Sequence, residues 1–193
     1  MTPERAPLRT ARLLLEPIGP EHAEAMWTAT ETSLEELSRW MLWAVDTTRE
    51  GTETFAAEAE REWKEGAGFH FAILRDGDLA GALGLEVRTP INRIGEIGYW
   101  IRSDLAGRGL VTEAAEAVVA FGFEVLGLYR LELRAGVGNG ASQRVAEKLG
   151  FRREGTLRKG CPGGPEPYDC YLYGLLLEDF LASEEARGSP GYL

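Results

Sequence analysis

Residues Ile94 to Glu116 read I-G-E-I-G-Y-W-I-R-S-D-L-A-G-R-G-L-V-T-E-A-A-E, an apolar strand passing through a glycine-rich turn straight into an alanine-rich helix. This junction restricts the fold more than any other segment. A strand that feeds a helix through Gly107-Arg108-Gly109 leaves the bare N–H groups of the first helical turn pointing outward, at the positive end of the helix dipole. Glycine permits the left-handed φ angles of such a turn and lets a ligand approach the backbone closely. Such a site suits a phosphate. A glycine-rich connection with no ligand is the plain alternative for this turn taken alone.

Other phosphate motifs fit less well. No G-x-x-x-x-G-K-[ST] occurs, and Gly107 to Thr112 ends in Thr where a dinucleotide fingerprint needs glycine or alanine. Gly136-Val137-Gly138-Asn139-Gly140-Ala141 does satisfy G-x-G-x-x-[GA] after an apolar run, with Glu154 downstream. A dinucleotide fold would have to place several βαβ units after that motif, and too little chain remains for them.

The turn and its surroundings resemble the GNAT N-acetyltransferase superfamily, in particular its RimJ/RimL branch. Its coenzyme motif is written [QR]-x-x-G-x-[GA]; here Ala106, Gly109 and Val111 occupy the anchor positions, two of them departures. The neighbouring segments carry the likeness further. Leu8 to Pro17 looks like the opening strand, Trp40-Met41-Leu42-Trp43 like the tryptophan-bearing helix, and Gly98-Tyr99-Trp100-Ile101 and Thr112-Glu113-Ala114 follow in order. Asn139 to Phe151 and then Glu154-Gly155 complete it, so the resemblance spans roughly residues 8 to 178 and also accounts for the rival fingerprint.

The likeness implies a three-layer α/β (α+β) fold: a mostly antiparallel twisted sheet flanked by helices, whose fourth and fifth strands run parallel and splay apart. It also implies acetyl-CoA as co-substrate, held by Trp100, Ile101, Arg102, Gly107, Arg108, Gly109, Leu110, Val111, Thr112, Asn139 and Ser142, with a backbone N–H near Trp100 or Ile101 facing the oxyanion. Ser142 matches the general acid proposed for RimL-type enzymes. The position of their proposed base is Cys161 here, so Glu96 on the central strand, acting through water, is the expected replacement, with Glu166 and Asp169 as alternatives. Trp40 and Trp43 are expected on one helix face, lining an acceptor pocket or filling the core. Ser142 and Asn139 also suit plain helix capping.

Composition supports a single domain over residues 1–193. No apolar stretch approaches the roughly 20 residues that cross a bilayer, and no signal-peptide segment follows Met1, so a cytoplasmic protein is expected. Cys161 and Cys170 show no metal-ligand spacing, His22 and His70 are far apart, and no metal site is expected; a disulfide between the two cysteines stays open. A formal net charge of −10 disfavours nucleic acid and suits a cationic acceptor. The expected activity is transfer of acetyl by direct attack of a primary amine, a protein N-terminus or a small amine or aminoglycoside, by a monomer or homodimer. A non-catalytic acyl-CoA sensor, suggested by Ala106, Val111 and Cys161, and a dinucleotide-dependent oxidoreductase are the alternatives.

Element order follows from periodicity. Arg12 to Leu15 reads as a strand, with helices opening at Pro20, Ser33 and Thr52, and Ser33 with Glu36 forms a capping box. Phe69 to Leu74 and Leu79 to Val87 form a hairpin around Asp76-Gly77-Asp78. A strand at Ile94 to Arg102, a helix at Leu110 to Leu126, a strand at Tyr129 to Ala135, a helix at Ala141 to Leu149 and a strand at Tyr168 to Leu177 follow, and the Ser189-Pro190-Gly191 tail reads as loose.

Overall fold

In the computed structural model, residues 2–163 and 166–188 are described; the tail at 189–193 lies outside them. One eight-stranded sheet runs through the molecule in the order β1-β2-β3-β4-β5-β6-β8-β7. The strands are β1 (Leu8–Arg9), β2 (Leu14–Pro17), β3 (Gly68–Arg75), β4 (Asp78–Thr89), β5 (Ile94–Ile101), β6 (Arg130–Gly136), β7 (Arg152–Cys161) and β8 (Tyr168–Leu176). All neighbours pair antiparallel except β5 and β6. The expected parallel pair is therefore present, one place later in the count because the opening strand is split into β1 and β2.

The β3–β4 hairpin closes on the two residues Asp76 and Gly77, both at positive φ (54° and 90°), the conformation whose twist matches paired strands. Strand β3 is buried on both faces. Phe69, Phe71 and Ile73 enter one core, while Ala72 belongs to a second core on the opposite face.

Helices cover both faces. On one lie α1 (Ala23–Glu31), the single turn α2 (Leu34–Leu37) and α3 (Arg49–Glu65); Thr48 caps α3 by accepting from Gly51 N–H at 3.0 Å, and Gly66 at φ 72° ends it. Trp63 reaches from α3 into the larger core, where it meets Phe69, Phe71 and Phe121 at ring-centroid distances of 5.0, 5.2 and 5.9 Å. Its N–H donates to Pro3 O at 3.0 Å, so burial leaves no polar atom unpaired. The other face carries α4 (Leu110–Ala120), α5 (Gly140–Lys148) and α6 (Leu177–Arg187). Leu110, Ala114, Ala115, Val118 and Val119 form the buried stripe of α4.

The structure departs from the periodicity at several places, and β7 (Arg152–Cys161) is a strand that periodicity did not assign. The helix expected from Leu110 to Leu126 changes to a π-turn over Phe121–Val125, where Gly122 lies so near Leu85 that a Cβ would come within 2.9 Å of its Cδ1. The helix opening at Ser33 lasts one turn, and Ser33 does not cap it: its Oγ accepts from Ser103 N–H at 3.1 Å, tying that turn to the end of β5. Helix α6 follows β8, beyond the last element that periodicity assigned.

Candidate active site in the strand splay

Strands β5 and β6 pair only from Ile94↔Arg130 to Ile97↔Leu133, although both continue for several residues. Beyond Ile97 and Leu133 their edges separate. A cavity of ≈ 930 Å³ passes through the opening, with Gly98, Tyr99 and Trp100 on one wall and Ala135, Gly136, Asn139 and Ser142 on the other. Arg102 N–H donates to Ala80 O at 2.8 Å, and the alternation of an antiparallel ladder turns the backbone of Trp100 toward β4 in the same way. Tyr99 and Ile101 therefore present their N–H and C=O groups to the splay. Of the two expected oxyanion donors, Ile101 is the one whose amide faces the opening.

At the far end of β5 the chain makes the glycine turn. Gly107 and Gly109 both take left-handed conformations, φ 75° and 77°, and Gly109 is the N-cap of α4. Among the described residues no acceptor is bonded to the N–H groups of Gly107, Arg108 or Gly109. The turn is braced from three sides. Arg102 forks onto Asp104 at 3.1 and 2.9 Å, Arg108 Nη2 donates to Asp104 O at 2.9 Å, and Arg12 Nη1 donates to Arg108 O at 3.2 Å. Arg12 is held in turn by Glu113, whose carboxylate accepts from Arg12 N–H at 2.8 Å, Arg12 Nε at 2.6 Å and Thr10 Oγ1 at 2.6 Å. Burial opposes ionisation of Glu113, but these donors outweigh it and hold the carboxyl below its ordinary range. Leu110, Val111 and Thr112 form the first turn of α4, with N–H groups that no helical partner reaches.

Ser142 lies in the first turn of α5, and its N–H donates to the capping oxygen of Asn139 at 3.1 Å. Its hydroxyl is 2.9 Å from the Tyr99 hydroxyl. Tyr99, part of a motif segment but assigned no role from sequence, thus joins the wall of the splay to Ser142; burial pushes its phenol up to about 12 despite the Ser142 bond, so it is a neutral hydroxyl at ordinary pH. A neutral phenol can donate to Ser142 Oγ or accept from it, which suits a hydroxyl that gives up a proton and must regain one.

The wall of the cavity expected to face the acceptor is built from distant segments. Trp40 and Trp43 both line the cavity, but not from one helix face as expected. Trp40 lies in the turn after α2 and packs edge-on to Tyr168 at 5.8 Å, whereas Trp43 lies in the 3₁₀ turn Leu42–Ala44 and meets Trp100 at 6.1 Å. The ring of Trp40 lies so close over Gly136 that a Cβ there would come within 2.9 Å, and this close approach explains the glycine that imitated a dinucleotide fingerprint. Tyr168 Oη donates to Trp40 O at 2.8 Å and fixes the turn. Glu96 lies on the same side, bonded to Arg88 Nε at 3.0 Å and 3.6 Å from Arg134 Nε.

Cys161 and Cys170 are both buried free thiols, and burial, reinforced by its bond with Cys170, pushes Cys161 up to about 12. A thiol that stays protonated cannot stand in for a carboxylate base or act as a ready nucleophile. Glu166 pairs with Lys159 at 3.9 Å, and Asp169 accepts from Lys159 N–H at 2.8 Å. Among the described residues no group of three or more His, Cys, Asp or Glu side chains could hold a metal, and no helix is long and apolar enough to cross a membrane.

A mixed sheet opened at its single parallel pair, with a glycine turn and a helix start at one end of the opening, is the architecture of an acyl-CoA-dependent transferase. Residues 12–152 match the acetyltransferase (GNAT) domain family, and the chain belongs to it: it is an N-acetyltransferase of the GNAT superfamily, RimJ/RimL-like. It is 32% identical over 173 residues, covering 89% of this chain and 92% of the relative, to "Putative ribosomal N-acetyltransferase YdaF" of Bacillus subtilis (strain 168). Mycobacterium smegmatis RimJ, solved with CoA-disulfide, superposes with a TM-score of 0.82 at 25% identity over 95% of this chain and 93% of that one. RimL, a ribosomal-protein acetyltransferase solved with coenzyme A, superposes with a TM-score of 0.85 over 90% of this chain and 99% of that one; at 20% identity the likeness is one of fold. The sheet, antiparallel but for one pair, is not the doubly wound parallel sheet of a dinucleotide enzyme.

Proposed function

We propose that the protein transfers acetyl from acetyl-CoA to a primary amine, with a protein N-terminus of basic character as the acceptor. The opening between β5 and β6, with the Tyr99–Ser142 hydroxyl pair on its rim, carries this reading. In it, the pantetheine arm lies along the exposed edge of β5 and pairs with the backbone of Tyr99 and Ile101 as an added strand would. The pyrophosphate meets the N–H groups of Gly107 to Thr112, and Arg102 and Arg108 shape that turn.

Transfer requires a neutral amine, stabilisation of the oxyanion, and a proton for the departing sulfur. The Ile101 N–H faces the oxyanion, Ser142 supplies the sulfur's proton with Tyr99 behind it, and Asn139 bonds the pantetheine as well as capping α5. Glu96, beside Arg88 and Arg134, orders the water around the acceptor's amine. Trp40 and Trp43 form walls that attract a cation. The net charge of −10 favours basic acceptors over the surface as a whole, and the name of the relative YdaF points to ribosomal proteins.

Calorimetric titration of the purified protein with acetyl-CoA, followed by mass spectrometry of N-terminal peptides incubated with both, tests this. Binding of acetyl-CoA with a mass gain of one acetyl on the α-amine is the expected result. Binding without transfer to any peptide or small amine would leave an acyl-CoA sensor, and no binding at all would remove the transferase reading.

A further inference from the structure

Resting on the acetyl-transfer reading above, one imidazole in the cavity outside the expected catalytic set has the geometry of a base. His70 on β3 stands opposite Gly84 on β4, and Gly84 stands opposite Gly98 on β5, so the three form a row across one face of the sheet. His70 lines the cavity although only 8% of it is exposed. Its Nε2 lies 2.9 Å from Glu62 Oε2 on α3, and Phe55 of the same helix packs edge-on to the ring at 5.4 Å. An ionised carboxylate only accepts, so the ring proton belongs on Nε2 and Nδ1 carries a lone pair. Among the described residues Nδ1 has no hydrogen-bond partner.

The surrounding glycines fit this pair. A Cβ at Gly84 would lie 2.5 Å from Nδ1, and one at Gly68 would lie 2.6 Å from Glu62 Oε2 and 2.8 Å from Nε2. A Cβ at Gly98 would meet nothing within 4 Å, so the floor stays open from Nδ1 to the splay. The other charged groups lining the cavity are Asp46, Glu86 and Arg88 on β4, Glu96, and Arg134. Arg88 bonds Glu86 and Glu96, Arg134 lies beside Glu96, and Glu16 on the adjacent β2 is engaged by His22. Glu96 is thus committed to two arginines, while His70 has a free basic nitrogen.

We propose that His70 is the general base of the reaction, its Nδ1 taking a proton from the acceptor ammonium directly or through one water. Glu62 fixes the tautomer and stabilises the imidazolium. The freed amine lone pair forms the C–N bond at the thioester carbonyl, whose π pair moves to oxygen. Collapse restores C=O and breaks C–S. Sulfur takes a proton from Ser142, the second amine proton replaces it, and His70 releases its own to solvent.

The test is steady-state kinetics against pH on the full chain with acetyl-CoA and a peptide acceptor, for wild type, His70→Gln and Glu62→Gln. His70→Gln should lower kcat about 100-fold or more and abolish the acidic limb of kcat/KM, with acetyl-CoA affinity unchanged. Glu62→Gln should retain that limb but move it to lower pH, because an imidazolium without its carboxylate loses its proton more readily. A His70→Gln enzyme that keeps the limb and a kcat within threefold of wild type overturns the proposal. If His70→Gln does not fold, an unmoved limb in Glu62→Gln overturns it instead. Wild type that binds acetyl-CoA but acetylates no amine overturns both this proposal and the transferase reading, whereas an active wild type beside an unaffected His70→Gln removes His70 alone.

Discussion

The two sides of the splay are built in different ways. On the coenzyme side, a strand end, a glycine turn and two helix starts come from two short stretches, 98–112 and 136–143, and present mostly backbone groups. On the opposite side, the turns after α2, helix α3, and strands β3, β4, β6 and β8 contribute side chains from across the chain. Backbone chemistry belongs to the fold and is the same for any enzyme that binds this coenzyme. Side chains brought together from remote positions can change singly, which is where the proposed function puts acceptor choice.

Substitutions on the two sides should therefore separate coenzyme effects from acceptor effects. The largest loss is expected from Ser142→Ala: kcat down about 100-fold or more with acetyl-CoA affinity within threefold, since general acid help of this kind contributes 10²–10⁴-fold. Stopped-flow turnover with calorimetry checks it. An unchanged kcat would assign Ser142 to helix architecture.

Gly109→Val comes next. At φ 77° the cost is backbone strain, because the nearest atom to an added Cβ is Arg12 Nη2 at an ordinary 3.7 Å. It should cost about 1–2 kcal/mol in stability and roughly tenfold in acetyl-CoA affinity, leaving the acceptor KM unaffected. Trp43→Ala should do the reverse: Trp43 is 45% exposed and packs on Trp100, so removing it should raise the acceptor KM about fivefold while the acetyl-CoA KM stays put. If both constants move together, the two sides are not separable.

The smallest effect is a pH-dependent one. Glu113 titrates below its ordinary range in the folded chain, so its bonds to Thr10 and Arg12 add stability that is complete above the unfolded carboxyl pKa of about 4.3 and is lost as pH falls through the lower folded value. Glu113→Gln should be about 1 kcal/mol less stable than wild type at pH 7 by urea unfolding, with the gap closing in acid. A gap that persists at low pH would mean that packing, not charge, sets it.

The coenzyme side was legible in sequence because it is local. Positive-φ glycines, a helix start and an apolar strand each act within a few residues, so Gly107, Gly109 and the run into α4 stand where the letters place them. The parallel pair was reached through resemblance, not periodicity, since no local signal tells which edges of β5 and β6 meet or that pairing stops at Ile97 and Leu133. Trp40 and Trp43 show the limit of local spacing: a helical interval suggested one face, but the helix ends at Leu37 and Ser33 binds Ser103 instead of capping it, so the rings part toward Tyr168 and Trp100.

Sequence by itself determined the order of the elements from the opening strand through α5, the hairpin at Asp76-Gly77, the glycine turn and the net negative charge, because each depends on residues adjacent in the chain or on composition alone. Tertiary structure decided which groups meet across the cavity: Tyr99 with Ser142, Arg12 with the glycine turn through Glu113, and His70 with Glu62 over two bare glycines. A hydrogen bond of about 3 Å is made or missed by shifts smaller than one residue's rise along a strand, and only the packed sheet fixes positions that finely.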